Sequence, residues 1–337
     1  MLSFALKAAV IDYDQLEARA SALARASLPV RIELHTFGAR DLDYEATRQS
    51  ALSNISRLRD SFAVEAFIVH VPLQSVAVVT QQQFDLDQCI RAIDFAHSID
   101  AAGVVVHRYH SLVYGDQPVR ISSRVEATRA FEAIVLRLAR HLGHRRLLVE
   151  NVGHYSLLPR DGRSFLSGPL DHFFPWEIER FRQFIAAERL TTVEPFVDIA
   201  HATLSANLFN RRRANPSSTL NDPRFRWILD EDLAQTGWLD PLDFVDERMS
   251  YLHVSDAIQL TRAECSLPFL DDARLTQSIV SEGMELGTGT LPIADLPSRF
   301  GRTGEMVAEV EPGPRETHRN NAAQTRSLTT LRRIFHV

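Results

Sequence analysis

The chain has 337 residues, 45% of them apolar and 24% charged, with a formal net charge of −6. Its length does not demand two domains, because α/β barrels of this size share one core. No stretch approaches the roughly 20 uninterrupted apolar residues of a membrane span, and the acidic balance gives no global basic footprint for nucleic acid, although a local patch is compatible with it.

Strand-like runs alternate with amphipathic segments, the pattern of βα units around a parallel sheet. Phe4 to Val10 reads as the first strand, followed by a helix near Gln15 to Ala26. Arg31 to Phe37 is the second, with a helix over Tyr44 to Arg59. Phe67 to Val71 is the third, before Leu86 to Ile99, whose apolar positions recur at helical spacing. Gly103 to His107 is the fourth, before a long helix from Arg124 to Leu142. Arg146 to Glu150 is the fifth, and a helix over Trp176 to Arg189 opens after Pro175, a favoured first-turn residue. Phe196 to Ile199, Tyr251 to Val254 and Glu305 to Val310 complete the set. Eight strands with helices between them predict an α/β fold, a closed (β/α)8 barrel spanning residues 1–337 as a single domain, since an open sheet would expose two edges.

Two connections exceed the usual βα loop length, 153–175 after the fifth strand and 202–248 after the sixth. Both leave strand C-termini, where barrels build active sites, so they read as walls or lids, against the plainer alternative of solvated insertions. The second carries Arg211, Arg212 and Arg213, then Arg224 and Arg226 beside Phe225 and Trp227. Arginine forks suit phosphate or carboxylate and aromatic faces suit sugar rings or bases, but a solvated charged face accounts for the same residues. The stretch LGTGT at 286–290 lacks the context of a dinucleotide fingerprint; its glycines suit a tight turn before a helix over Pro292 to Phe300. After Pro314 the chain is polar and then apolar at LRRIF, a final packing helix.

Five apolar runs end in metal-type ligands: FIVH at His70, GVVVH at His107, RLLVE at Glu150, PFVD at Asp198, and YLHV, which carries His253. A sixth, Met306 to Pro312, carries Glu309 and Glu311. A carboxylate or imidazole at such a buried position must be paired, hydrogen-bonded or metal-bound. Any one of these histidines is readily a core residue donating to a carbonyl; repetition at successive strand ends points to a site. Asp198 and His201 lie three apart in DIAH, where the chain leaves its strand and can turn both into one pocket. Strand alternation sends Glu309 and Glu311 to one side, Glu309 deeper. Such an oxygen-rich set suits a divalent metal ion, Mn²⁺, Mg²⁺, Co²⁺ or Zn²⁺.

Lys7 is the only lysine and reads as a strand or barrel-base residue, which disfavours imine chemistry. Cys89 and Cys265, the only cysteines, argue against a disulfide scaffold or thiolate zinc site. The opening MLSFALKAAVIDYDQ lacks a basic leader, so a cytoplasmic location is expected.

The ordered series VHVP at 69–72, VVVH at 104–107, LLVEN at 147–151, VDIAHA at 197–202, LHVSDA at 252–257, LGTGTLPIADL at 286–296 and VAEVEP at 307–312 resembles the xylose isomerase-like barrel superfamily. That group holds sugar isomerases and epimerases, inosose and dehydroshikimate dehydratases, and endonuclease-four-type enzymes. The resemblance runs from about the second strand to the eighth. It implies a metal quartet of Glu150, Asp198, His253 and Glu309, with Glu150 and Glu309 also moving a proton beside a carbonyl. His201 and His107 would join them as catalytic groups, and His70, Asn151, Asp256 and Glu311 would bind substrate. The implied activity is isomerisation or epimerisation of a sugar, sugar phosphate or polyol-derived ketone, a small polyhydroxylated molecule, in a chain with no membrane partner and able to form a homo-oligomer. A dehydratase, an endonuclease-like metallohydrolase, and a barrel that keeps its ligands as a binding protein are the rivals. Three-zinc endonucleases need an additional Asp and His before the Gly-x-Gly loop, and SEGMELGTG at 281–289 has no histidine, which weighs against a nucleic-acid substrate.

Overall fold

The structure, a computed structural model, describes residues 2–35, 41–72, 85–108, 123–153, 168, 170, 172–301 and 303–336. Eight parallel strands close into a barrel in sequence order: β1 (Leu2–Ala9), β2 (Val30–His35), β3 (Val64–His70), β4 (Gly103–His107), β5 (Arg146–Glu150), β6 (Val193–Asp198), β7 (Tyr251–Val254) and β8 (Gly304–Ala308), with β8 returning to β1. The principal outer helices are α1 (Tyr13–Arg25), α2 (Glu45–Ser61), α3 (Leu86–Ser98), α4 (Arg124–Leu142), α5 (Pro175–Ala187) and α6 (Ile199–Ala214). Short helices α7 (Pro216–Thr219), α8 (Asp230–Leu233) and α9 (Arg262–Ser266) follow, then α10 (Asp272–Val280) and α11 (Ala322–Phe335). The predicted barrel is the observed one.

Side chains alternate across each strand, so every second residue faces the barrel axis. Ala5, Ile68, Val105, Leu148, Phe196, Tyr251 and Val307 form the buried apolar plug in the middle. Two residues toward the N-terminal end, this inward set becomes ionic: Arg31 pairs with Glu305 at 2.6 Å and Arg146 with Glu194 at 2.5 Å. Two residues toward the C-terminal end it becomes Lys7, His70, His107, Glu150, Asp198, His253 and Glu309. The period-two pleat therefore converts seven separated residues into one polar floor above an apolar plug. Outward-facing residues such as Leu6, Ile32, Val69, Val104, Val149 and Leu252 join the shell between sheet and helices, where most of the core lies.

Three differences from the sequence reading bear on the site. β6 ends at Asp198 because its carboxylate caps α6, accepting from Ala200 N at 2.7 Å and His201 N at 3.0 Å. β8 ends at Ala308 and Glu309 N still donates to Val254 O, so the inward alternation reaches Glu309 but does not extend on to Glu311. The helix expected at Pro292 to Phe300 is a 3₁₀ segment, Ile293–Ser298, with Pro297 inside it.

The segment 202–248 is not an insertion from its start, because α6 is the sixth barrel helix. It is buried on all sides from Ile199 to Arg211, packing on Pro241–Phe244, α9 and α10. Its arginines fasten chain to chain. Arg211 donates to Cys265 O at 2.8 Å and Arg213 to Leu233 O at 2.8 Å, while Arg224 clamps Asp222 and Asp272. The lid reading of 153–175 falls largely outside the described residues. Cys89 and Cys265 are buried and unbridged. Among the described residues no helix is long and apolar enough to cross a membrane.

Candidate metal centre

Ligand atoms of Glu150, Asp198, His253 and Glu309, from β5, β6, β7 and the residue after β8, all lie within 4.8 Å of one another. His253 Nδ1 stands 3.1 Å from Glu150 Oε1 and 2.5 Å from Glu309 Oε2. Its Nε2 is 2.7 Å from Glu33 Oε2, which also accepts the Tyr251 hydroxyl at 2.6 Å. Donation from Nε2 to Glu33 leaves Nδ1 as a lone-pair donor facing the two glutamates, the arrangement found behind metal-bound histidines.

Glu150 is fully buried and joins two clusters. Its Oε1 faces His253; its Oε2 lies 3.1 Å from His70 Nε2 and 3.3 Å from His107 Nε2. His70, His107 and Glu150 also offer ligand atoms within 4.8 Å of one another, as do Glu33, His70 and His253. The His70 and His107 rings meet edge-on, centroids 4.7 Å apart.

Burial would raise the Glu150 carboxyl, but His253 and His107 outweigh it and hold the group well below the usual carboxylate range. Burial would likewise lower His253, yet Glu33, Glu150 and Glu309 push it well above the ordinary imidazole value. For His107, burial prevails over Glu150 and brings it down to about 4. Burial raises Asp198 against the pull of His201.

The donor set fits a divalent cation. Three carboxylates and an imidazole converge, one Nδ1 cannot serve two carboxylate oxygens, and among the described residues buried Glu309 Oε2 has no hydrogen-bond partner of adequate geometry. Asp198 spends Oδ1 on two α6 amides and so presents its other oxygen. A hard cation with nitrogen tolerance, Mn²⁺, Mg²⁺, Co²⁺ or Zn²⁺, would meet all four groups.

Other expected site residues take different places. Asn151, expected at the substrate, is buried and spends both ends of its amide on the Asp198 backbone, donating to the carbonyl at 3.1 Å and accepting from N–H at 2.7 Å. Its own carbonyl receives His201 Nδ1 at 3.0 Å. Asp256, also expected at the substrate, accepts from four amides, those of Ala257, Leu291, Gly287 and Gly289. It shapes the LGTGT loop, where a Cβ on Gly289 would stand 2.4 Å from Asp256 Oδ1 and Gly287 has φ +89°. Glu311 parts from Glu309: its side chain is 64% exposed, near His318. His201 remains at the rim, its Nε2 2.8 Å from Glu282 Oε2.

The site also contains three residues the sequence reading did not place there. Glu33 signals itself only as the one acid of the strand VRIELH. Lys7, two residues beyond inward-facing Ala5, reaches the C-terminal mouth and donates to Glu309, so it is a strand residue but not one of the barrel base. Its ammonium is lowered by burial but raised more by Glu309, Glu33 and Glu150. Glu282 arrives from a loop, with no local pattern to mark it.

No protein-family model matches the chain, and no curated protein matches it in sequence. Among solved structures it is similar to a D-allulose 3-epimerase from Methylomonas sp. in complex with D-allulose, at TM-score 0.53 and 13% identity over 98% of this chain and 96% of that one. It is similar to an L-ribulose 3-epimerase at TM-score 0.52 and 13% identity, covering 98% and 94%. A structure of AsfvAP:AG matches at TM-score 0.53 and 12% identity, covering 98% of both chains. What is shared at these identities is the barrel, the fold that the resemblance to the xylose isomerase-like superfamily implies.

Proposed function

We propose that this chain is a divalent-metal-dependent isomerase or epimerase of a sugar, sugar phosphate or polyol-derived ketone, acting by proton transfer beside a carbonyl. The observation that carries the reading is the placement of Glu150 and Glu309 on one histidine nitrogen, His253 Nδ1, with Asp198 completing the set. A bound divalent cation would polarise the carbonyl and neighbouring hydroxyl of the substrate and so acidify the intervening C–H.

The two glutamates are unequal. Glu150 is gripped by His70, His107 and His253 at the bottom of the site. Glu309 is one-fifth exposed and held by Lys7 and His253, within reach of a substrate at the mouth. In this account Glu309 removes the proton and Glu150 serves the opposite face. His201, fixed through Asn151, would exchange Glu282 for a substrate hydroxyl at its Nε2, and His107, kept neutral by burial, donates or accepts a hydrogen bond deeper in. Two of the fold neighbours carry the name of 3-epimerases, which agrees with this chemistry.

The test is exchange. Metal-loaded protein incubated in deuterated water with a panel of ketoses, ketose phosphates, keto sugar acids and inososes should wash deuterium into the carbon beside the carbonyl. Absence of exchange across the panel contradicts the proposal, and exchange followed by loss of water reassigns the chain to the dehydratases. The cluster of His70, His107 and Glu150 favours a second reading, a two-metal hydrolase of phosphodiesters. Catalytic cleavage of abasic-site DNA would establish it in place of the first.

A further inference from the structure

Beside the metal cluster lies a cavity of about 170 Å³ among β1, β2, α1, α11 and the residues after β8, lined by Lys7, Gln15, Arg19, His35, Glu309 and Gln324 among others. This is several times the roughly 30 Å³ share of one water. Gln15 and Arg19 reach it from one face of α1, four residues apart.

Both are almost wholly buried, Gln15 at 1% and Arg19 at 4% exposure. Gln15 turns Oε1 to the Ala9 amide, which directs Nε2 the other way, and that nitrogen has no hydrogen-bond partner among the described residues. Arg19 donates through Nη2 to His318 O at 2.6 Å, while its Nε is likewise without a partner. Asp12, the carboxylate whose charge it feels, directs one oxygen to Arg319 at 2.7 Å and the other to the start of α1. Burial with so little compensation lowers the guanidinium to about 10.

A buried cation and a buried amide donor, both short of acceptors beside a cavity, call for an anion with several acceptor oxygens. We propose that this cavity is a subsite for an anionic oxygen group, phosphate or carboxylate, carried by the substrate, with Arg19, Gln15 Nε2 and Lys7 as its contacts. Glu309 and Glu311 also line it, but Lys7 and His253 already meet the Glu309 charge, and the Glu311 side chain is largely in solvent. Gln324 Oε1, a buried acceptor without a partner among the described residues, suits a substrate hydroxyl. The inference rests on the proposed function in one respect, that the anion belongs to the same molecule as the polyol at the metal. It narrows the substrate class to sugar phosphates or sugar acids.

Gln15→Glu is the sharpest test, because it keeps the acceptor for Ala9 N–H and replaces the donor by a charged oxygen. Inorganic phosphate and acetate would be titrated calorimetrically into metal-free and metal-loaded protein, with wild type, Gln15→Glu and Arg19→Gln compared. Saturable binding of at least one anion is expected, weakened about tenfold or more in both variants, the scale of a lost hydrogen bond to a charged group, with metal stoichiometry unchanged. Preference for phosphate assigns a sugar phosphate, and preference for acetate a sugar acid. No binding to wild type, or equal binding to wild type and Gln15→Glu, overturns the subsite; Gln15→Glu decides even where Arg19→Gln fails to fold. Anion binding that persists while the deuterium experiment gives no exchange would refute the proposed reaction and leave the subsite standing.

Discussion

Glu33 and His253, 220 residues apart, share a 2.7 Å hydrogen bond at the centre of the barrel, and through it Glu33 sets which nitrogen of His253 faces the carboxylate cluster. Glu33→Gln keeps an acceptor there and removes the charge. Metal affinity should fall by about 10–100-fold, the range for partners lying behind metal-bound histidines. A competitive chelator titration, with circular dichroism to confirm the fold, checks this. Unchanged affinity would mean that Glu33 only satisfies Tyr251.

Asn151 should matter through Asp198 rather than through substrate. Asn151→Leu strands a buried N–H and a buried carbonyl, each costing about 1–3 kcal/mol. Urea unfolding should show that loss together with weakened metal binding. A variant that changed substrate affinity alone would contradict the bracing role.

Binding of metal at His253 Nδ1 requires neutral imidazole, whereas burial among Glu33, Glu150 and Glu309 raises His253 well above its ordinary value of 6.5 in the metal-free chain. Metal binding near pH 7 should therefore release a proton, seen as a buffer-dependent calorimetric heat, and affinity should rise with pH. For the metal-free protein the signs are opposite at the two ends of the scale. The raised His253 contributes stability below pH 6.5 that is lost as pH climbs through its folded value. The depressed Glu150 and Glu309 contribute stability above pH 4.5 that is lost as pH falls through theirs. Stability measured against pH should thus peak between them.

The 202–248 segment should prove structural. Asp232 accepts both contacts of Arg124 Nη1 at 2.7 Å and the Trp176 indole at 3.0 Å, all buried or nearly so. Asp232→Ala leaves a buried guanidinium short of its counter-ion and should cost about 3–5 kcal/mol. Thermal unfolding would show the loss, with metal stoichiometry retained in the folded fraction.

The barrel was legible because each strand announces itself as an apolar run, and the convergence of Glu150, Asp198, His253 and Glu309 because they sit at those runs' ends. Registering the pleat explains why: Ile68 to His70, Val105 to His107, Leu148 to Glu150, Phe196 to Asp198, Tyr251 to His253 and Val307 to Glu309 are each one inward step, plug to floor. The same step from Ala5 reaches Lys7, so its position was implicit in the pattern. Glu33 was harder, being mid-strand, and Glu282 was hidden because only loop closure brings it to His201. Asn151 and Asp256 look like substrate contacts in sequence, since nothing local reveals that backbone amides and carbonyls occupy them. Glu311 parts from Glu309 because the strand stops at Ala308, a boundary set by tertiary pairing.

Metal content tests the centre formed by Glu150, Asp198, His253 and Glu309. Elemental analysis of protein loaded with Mn²⁺, Co²⁺ or Zn²⁺ and then desalted should give stoichiometric metal for wild type. Glu150→Gln and Asp198→Asn should lose it while remaining folded. Stoichiometric metal retained in both variants would contradict the proposed centre.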